Sequence, residues 1–291
     1  MTDEKADEKA VPIAGPSSQS SEESIVSQPE EEGVLAAQHM LRGLHSIGAH
    51  PVSLQLVYLA TNLSSLRLRD ISLLANYTHL VVVDISNNLI ESLEVLSHVP
   101  YLTTLLASQN RLVKCLEFAP PLCTEEKAWS LGRHAIGSML TYADLSLNSI
   151  SSVDDIRQHQ FLECLLLKGN AIESTLGLHH LRYLLVLDLT NNRLTSLVNL
   201  DGLRLHELYI SGNRLSSLEG LSELFSLRIL HADSNLIDTT APLARIPSLR
   251  EISVSRNRIK TIRDLENLQD LTRLVFLNVD GNPCSLKPFY R

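Results

Sequence analysis

From Leu184 to Leu197 the chain reads L-x-x-L-x-L-x-x-N-x-L-x-x-L. The same phrase returns down the sequence, with its asparagine at Asn88, Asn110, Asn148, Asn170, Asn192, Asn213, Asn235, Asn257 and Asn282. The steps between them are 22, 38, 22, 22, 21, 22, 22 and 25 residues. A short unit repeated at a nearly fixed interval cannot bury its apolar face alone, so neighbouring units must stack. In the first half of the unit, Leu184, Leu187 and Leu189 point inward from a short strand while the residues between them point out. The asparagine falls in the turn, where its amide can satisfy backbone groups that the bend leaves without partners. Stacked turns should therefore carry a buried asparagine ladder. The second half runs with period three, as in Ile90, Leu93, Leu96 and Val99 before Leu102 opens the next strand. That is 3₁₀ spacing, and a return segment so compact predicts a curved solenoid with strands on its concave side.

A period of about 20 to 29 residues with this pattern resembles the leucine-rich repeat. The expected fold is α/β: a concave parallel sheet of about ten strands, with short 3₁₀ or α return segments on the convex side. Aromatic residues are only 4% of a chain that is 44% hydrophobic, which suits leucine packing.

Three regions follow from composition. Residues 1–33 hold nine acidic residues against Lys5 and Lys9, a charge of −7, which leaves −1 of the total −8 for the remainder. Few apolar groups there can offset the entropy of ordering, so a disordered acidic tail is expected. Across 34–50, Val34, Leu35, Ala37, Leu41, Leu44 and Ile47 lie near helical spacing before Pro51, which reads as an N-terminal capping helix. Residues 51–291 form the repeat domain. Its first unit is degenerate, with Leu66 where asparagine belongs, and the 38-residue step implies an insertion near 120–137. That insertion carries the single tryptophan, Trp129, either an anchor for a partner or a side chain folded back on its own repeat. After Cys284 seven residues follow, too few for a full lid, so a partner contact through the C-terminal edge is a further expectation.

Catalytic chemistry is not visible. Phosphate-cradling glycine loops, H-E-x-x-H and G-x-S-x-G are all missing, and no cofactor or metal is expected. His179 and His180 are adjacent on a return segment and are expected to point apart. Cys115, Cys123, Cys164 and Cys284 show no disulfide spacing, no run of about 18 apolar residues appears, and the nearly neutral repeat body has no footprint for phosphate backbones. The expectation is an intracellular, cytoplasmic protein with no nucleic-acid and no membrane partner.

The outward strand positions remain. One column reads Val82, Thr104, Tyr142, Cys164, Val186, Glu207, Ile229, Glu251 and Phe276. The next reads Asp84, Leu106, Asp144, Leu166, Asp188, Tyr209, His231, Ser253 and Asn278, and a third is mostly small. An idle sheet face would be polar throughout. An apolar strip rimmed by carboxylates predicts a partner peptide or helix bearing Arg or Lys, held on the concave face by Val82, Asp84, Leu106, Tyr142, Asp144, Leu166, Val186, Asp188, Glu207, Tyr209, Ile229, His231, Glu251 and Phe276.

The 22-residue unit is similar to the intracellular class typified by the nuclear regulatory subunit of protein phosphatase 1 and the leucine-rich light chain of outer-arm dynein. Ile71–Leu80, Leu96–Leu102 and Phe118–Pro121 resemble more closely the repeat region of the leucine-rich-repeat and guanylate-kinase-domain protein. They also resemble, somewhat less, the leucine-rich repeat protein of ciliary radial spokes. The likeness spans about residues 34–291 and leaves the kinase part out, so no nucleotide chemistry carries over. It implies a non-catalytic scaffold of the ciliary or flagellar axoneme, in a radial spoke or associated complex, with other axonemal proteins as partners. The alternative is a regulatory subunit of a protein phosphatase 1-type enzyme.

Overall fold

A computed structural model describes residues 33–50, 53–119 and 139–286. The acidic tail through residue 32 and the 120–137 insertion with Trp129 lie outside the described residues. After a short helix α1 (Ala37–Gly43) come β1 (Leu44–Ala49), β2 (Leu56–Asn62), β3 (Val82–Asp84), β4 (Thr104–Leu106), β5 (Tyr142–Asp144) and β6 (Cys164–Leu166). Then follow β7 (Val186–Asp188), β8 (Glu207–Tyr209), β9 (Ile229–His231), β10 (Glu251–Ser253) and β11 (Phe276–Asn278). All eleven form one sheet in chain order, parallel from β2 onward. From β3 on each strand has three residues, and most of the described returns pass through a 3₁₀ turn, as at Glu94–His98 and Ala241–Arg245, while those after β7 and β8 run through plain turns.

The inward positions form one continuous core. Ile90, Leu93, Leu96, Val99 and Leu102 are at most 1% exposed, as their period-three spacing predicts. All nine asparagines do take up the turn. The amide of Asn192 donates to the carbonyls of Leu167 (2.9 Å) and Leu189 (3.1 Å), and its oxygen accepts the N–H of Ile172 (3.0 Å). Leu167 and Ile172 belong to the preceding coil, so each asparagine bolts its own turn to the one before it. The residue just ahead of every ladder asparagine has a left-handed backbone, with φ from +52° at Arg256 to +72° at Gly281. A side chain at Gly212 would collide with the Asn191 side-chain oxygen, whereas Leu147 and Arg256 carry the left-handed strain at about 1–2 kcal/mol each.

The N-terminal cap departs from expectation. The helix read across 34–50 spans only Ala37–Gly43, and Leu44–Ala49 pairs antiparallel with β2. The backbone at Gly43 passes so close to the Asn62 carbonyl that no side chain fits there. Leu41 and Ile47 are 78% and 65% exposed, so their helical spacing was not a core stripe; Leu35 and Met40 supply the buried contacts. A strand serves better here because the outer edge of β2 would otherwise present a row of unpaired N–H and C=O groups.

Candidate functional site: the concave sheet face

Parallel pairing in strict register aligns the outward residues into rows. Val82 pairs with Thr104, Thr104 with Tyr142, Tyr142 with Cys164 and Cys164 with Val186. The row continues through Glu207, Ile229 and Glu251 to Phe276. Two residues along each strand a second row runs Asp84, Leu106, Asp144, Leu166, Asp188, Tyr209 and His231. Every residue assigned to this face from sequence therefore lies on it. The strip is more recessed than expected: Val82, Tyr142, Leu166 and Val186 are half-buried between neighbouring coils, and only Phe276, at 49%, is well exposed.

The carboxylates of the second row are oriented by their own strands. Oδ1 of Asp84, Asp144 and Asp188 accepts the N–H of Ser86 (2.9 Å), Ser146 (3.0 Å) and Thr190 (2.8 Å). Among the described residues the second oxygen of each has no protein donor, and none of the three forms an ion pair. Further along, Tyr209 donates to Glu207 (2.8 Å), and a ring nitrogen of His231 bonds Glu251 (2.8 Å). The hydroxyls of Ser253 and Ser255 donate to Asp233. Burial pushes the Asp233 carboxyl up, but these hydroxyls, the Ser255 N–H and His231 hold it below the usual carboxylate range.

Three groups register the negative field of this surface. Burial, then Asp144, Glu207 and Asp188, push the Cys164 thiol up to about 11. Burial, the bond to Glu207 and the carboxylates of Glu207, Glu251 and Asp188 push Tyr209 up to about 12. Tyr142 is raised by burial and by Cys164 and Asp144. A second feature escaped the sequence reading. Arg228 and Arg250, each one residue ahead of its strand, line a depression of about 440 Å³ with Glu207, Ile229, Glu251 and Phe276. The register carries the two rows onto β2 at Ala60 and Asn62, and further along β1 and β2 the side chains of Ile47, Leu56 and Tyr58 are exposed. Elsewhere, His179 and His180 do not point apart: their ring centroids are 3.9 Å from each other. No group of three or more His, Cys, Asp or Glu is placed to hold a metal among the described residues. Nor is any described helix long and apolar enough to cross a membrane.

No family model matches the chain. Human leucine-rich repeat-containing protein 23 is 31% identical over 230 residues, covering 77% of this chain and 61% of that protein. The human leucine-rich repeat and guanylate kinase domain-containing protein is 41% identical over 106 residues, 36% of this chain and 13% of that one. Internalin C2 from Listeria monocytogenes superposes with a TM-score of 0.57 at 25% identity, covering 70% of this chain and 83% of the internalin. With the strand-per-coil sheet, these settle the fold. The chain folds as a leucine-rich repeat solenoid. It spans less than two thirds of the length of the curated relatives named above. Leucine-rich repeat homologues of this kind are typically non-catalytic, and the solenoid supports a protein–protein interaction scaffold.

The raised thiol gives the leucine-rich repeat sheet a simple probe. Near neutral pH, iodoacetamide is expected to alkylate Cys164 about a hundredfold more slowly than an unperturbed thiol, because the thiolate is the nucleophile. Peptide mass spectrometry of timed samples measures this. Alkylation at the rate of a free thiol would mean the face is neither as recessed nor as negative as described.

Proposed function

We propose that the protein is a non-catalytic scaffold that holds a partner polypeptide on its concave sheet face. One observation carries this reading: over β3–β7 the second outward row alternates acidic and apolar residues beside a first row without a charge, where an unused face would be polar throughout. The setting we propose is the ciliary or flagellar axoneme, in a radial spoke or an associated complex. Its support is the resemblance of Ile71–Leu80 and Leu96–Leu102 to repeat proteins of cilia.

Changing Tyr142, Leu166, Val186 and Tyr209 together to lysine places four charges on the face without touching an inward position. The variant is expected to melt normally yet be lost from salt-washed axonemes of cells expressing the full chain, whereas the unmodified protein stays bound. Full incorporation of the variant would refute the role of this face. A fluorescent fusion of the unmodified chain that stays out of cilia would refute the setting.

A further inference from the structure

The second row has a lattice of its own. From β3 to β7 it reads Asp84, Leu106, Asp144, Leu166, Asp188, so acid and leucine alternate strand by strand. Neighbouring strands lie about 4.8 Å apart, so like residues recur about every 9.6 Å across the sheet. Seven residues of α-helix advance about 10.5 Å and bring a side chain back close to the same face. Positions three and four residues on lie on that face too, midway between, where the leucines are. Other backbones fit less well. An extended strand covers the distance in three residues but turns the third to its far side. A polyproline II segment repeats every three residues at about 9.3 Å, yet has nothing on the same face at the midpoint.

We propose that the occupant of the concave face is an amphipathic α-helix lying across the strands. It carries Arg or Lys at every seventh position and an apolar residue between successive cations. This rests on the reading of the face as a partner site and specifies the chemistry of the partner. The cations meet the carboxylate oxygens of Asp84, Asp144 and Asp188 that no described protein group engages; the apolar residues meet Leu106 and Leu166, with Val82, Tyr142 and Val186 alongside. The mismatch of about 1 Å per step is within the reach of flexible cationic side chains.

The test uses the full chain and three labelled peptides of about 18 residues, each with three arginines and no other charged side chain. One is helical with arginine at every seventh position and leucine midway. The second is helical with arginines every fifth position, and the third is a proline-rich segment with arginine every third. Fluorescence anisotropy at moderate salt should show the first binding about tenfold more tightly than either other, equivalent to about 1.4 kcal/mol. Asp84→Asn, Asp144→Asn and Asp188→Asn together should erase that preference while leaving the melt unchanged, since asparagine still accepts the turn N–H. Equal binding of the peptides, a preference for the proline-rich one, or a preference that survives the triple substitution overturns the helical occupant. If the four-lysine variant is still lost from axonemes in that case, the helix falls and the partner face stands. If that variant incorporates normally, the underlying reading falls as well.

Discussion

Replacing Asn192 with alanine is expected to destabilise the protein by about 3 kcal/mol, one of the largest effects open to a single side chain here. The amide spans two coils and is only 7% exposed. Removing it orphans the N–H of Ile172 and takes one of two bonds from each of the Leu167 and Leu189 carbonyls, which keep Asn170 and Asn213. The orphaned N–H costs about 1–3 kcal/mol and each lost bond about 1 kcal/mol, and relaxation recovers part of the total. Asn170 makes equivalent bonds to Leu145 and Leu167 but is only half-buried, so water can replace it and Asn170→Ala should cost distinctly less. Urea unfolding of the two variants beside the parent measures both. Equal losses would show that ladder burial does not set the cost.

Acidification is expected to remove about 3 kcal/mol through one histidine. His159 is buried, its ring packs edge-on to Phe118 at 4.8 Å, and its Nε2 bonds the Leu116 carbonyl at 3.2 Å. Nδ1 is buried with no partner. Burial dominates over the carbonyls of Leu116 and Phe118 and pushes the imidazole down to about 4 from 6.5. The unfolded chain therefore takes up this proton at a higher pH than the folded chain does. The contribution is complete above about 6.5, drains away as pH falls toward about 4, and converts at about 1.36 kcal/mol per unit. Glutamine at 159 can still donate to Leu116 but does not titrate. The difference between parent and His159→Gln unfolding free energies at neutral pH and near pH 4 isolates the effect. Parallel pH profiles for the two would remove His159 as the cause.

What the sequence disclosed follows from how local each feature is. Asparagine spacing alone positions β3 to β11, because the register of a solenoid sheet is set by the length of its coil. The rows on the face follow, since side chains alternate from a known inward leucine. The cap was misread because Leu41, Leu44 and Ile47 satisfy a helical count, while the demand that makes 44–49 a strand comes from the distant edge of β2. The left-handed residue before each asparagine left little trace. Leu147, Gln109 and Arg256 occupy it as well as Gly169, Gly212 and Gly281, so residue type does not mark it. Arg228 and Arg250 were passed over because they stand one residue ahead of the columns that alternation singles out.

The asparagine bolts all point the same way. Each reaches back to the coil already written and never forward to the one still to come. A chain emerging from the ribosome amino end first can thus dock every new turn onto a finished neighbour, satisfying its amide at the moment of arrival. A chain begun midway would open on a turn whose asparagine has nothing behind it. Docking in the order of synthesis therefore leaves no ladder amide waiting for its partner.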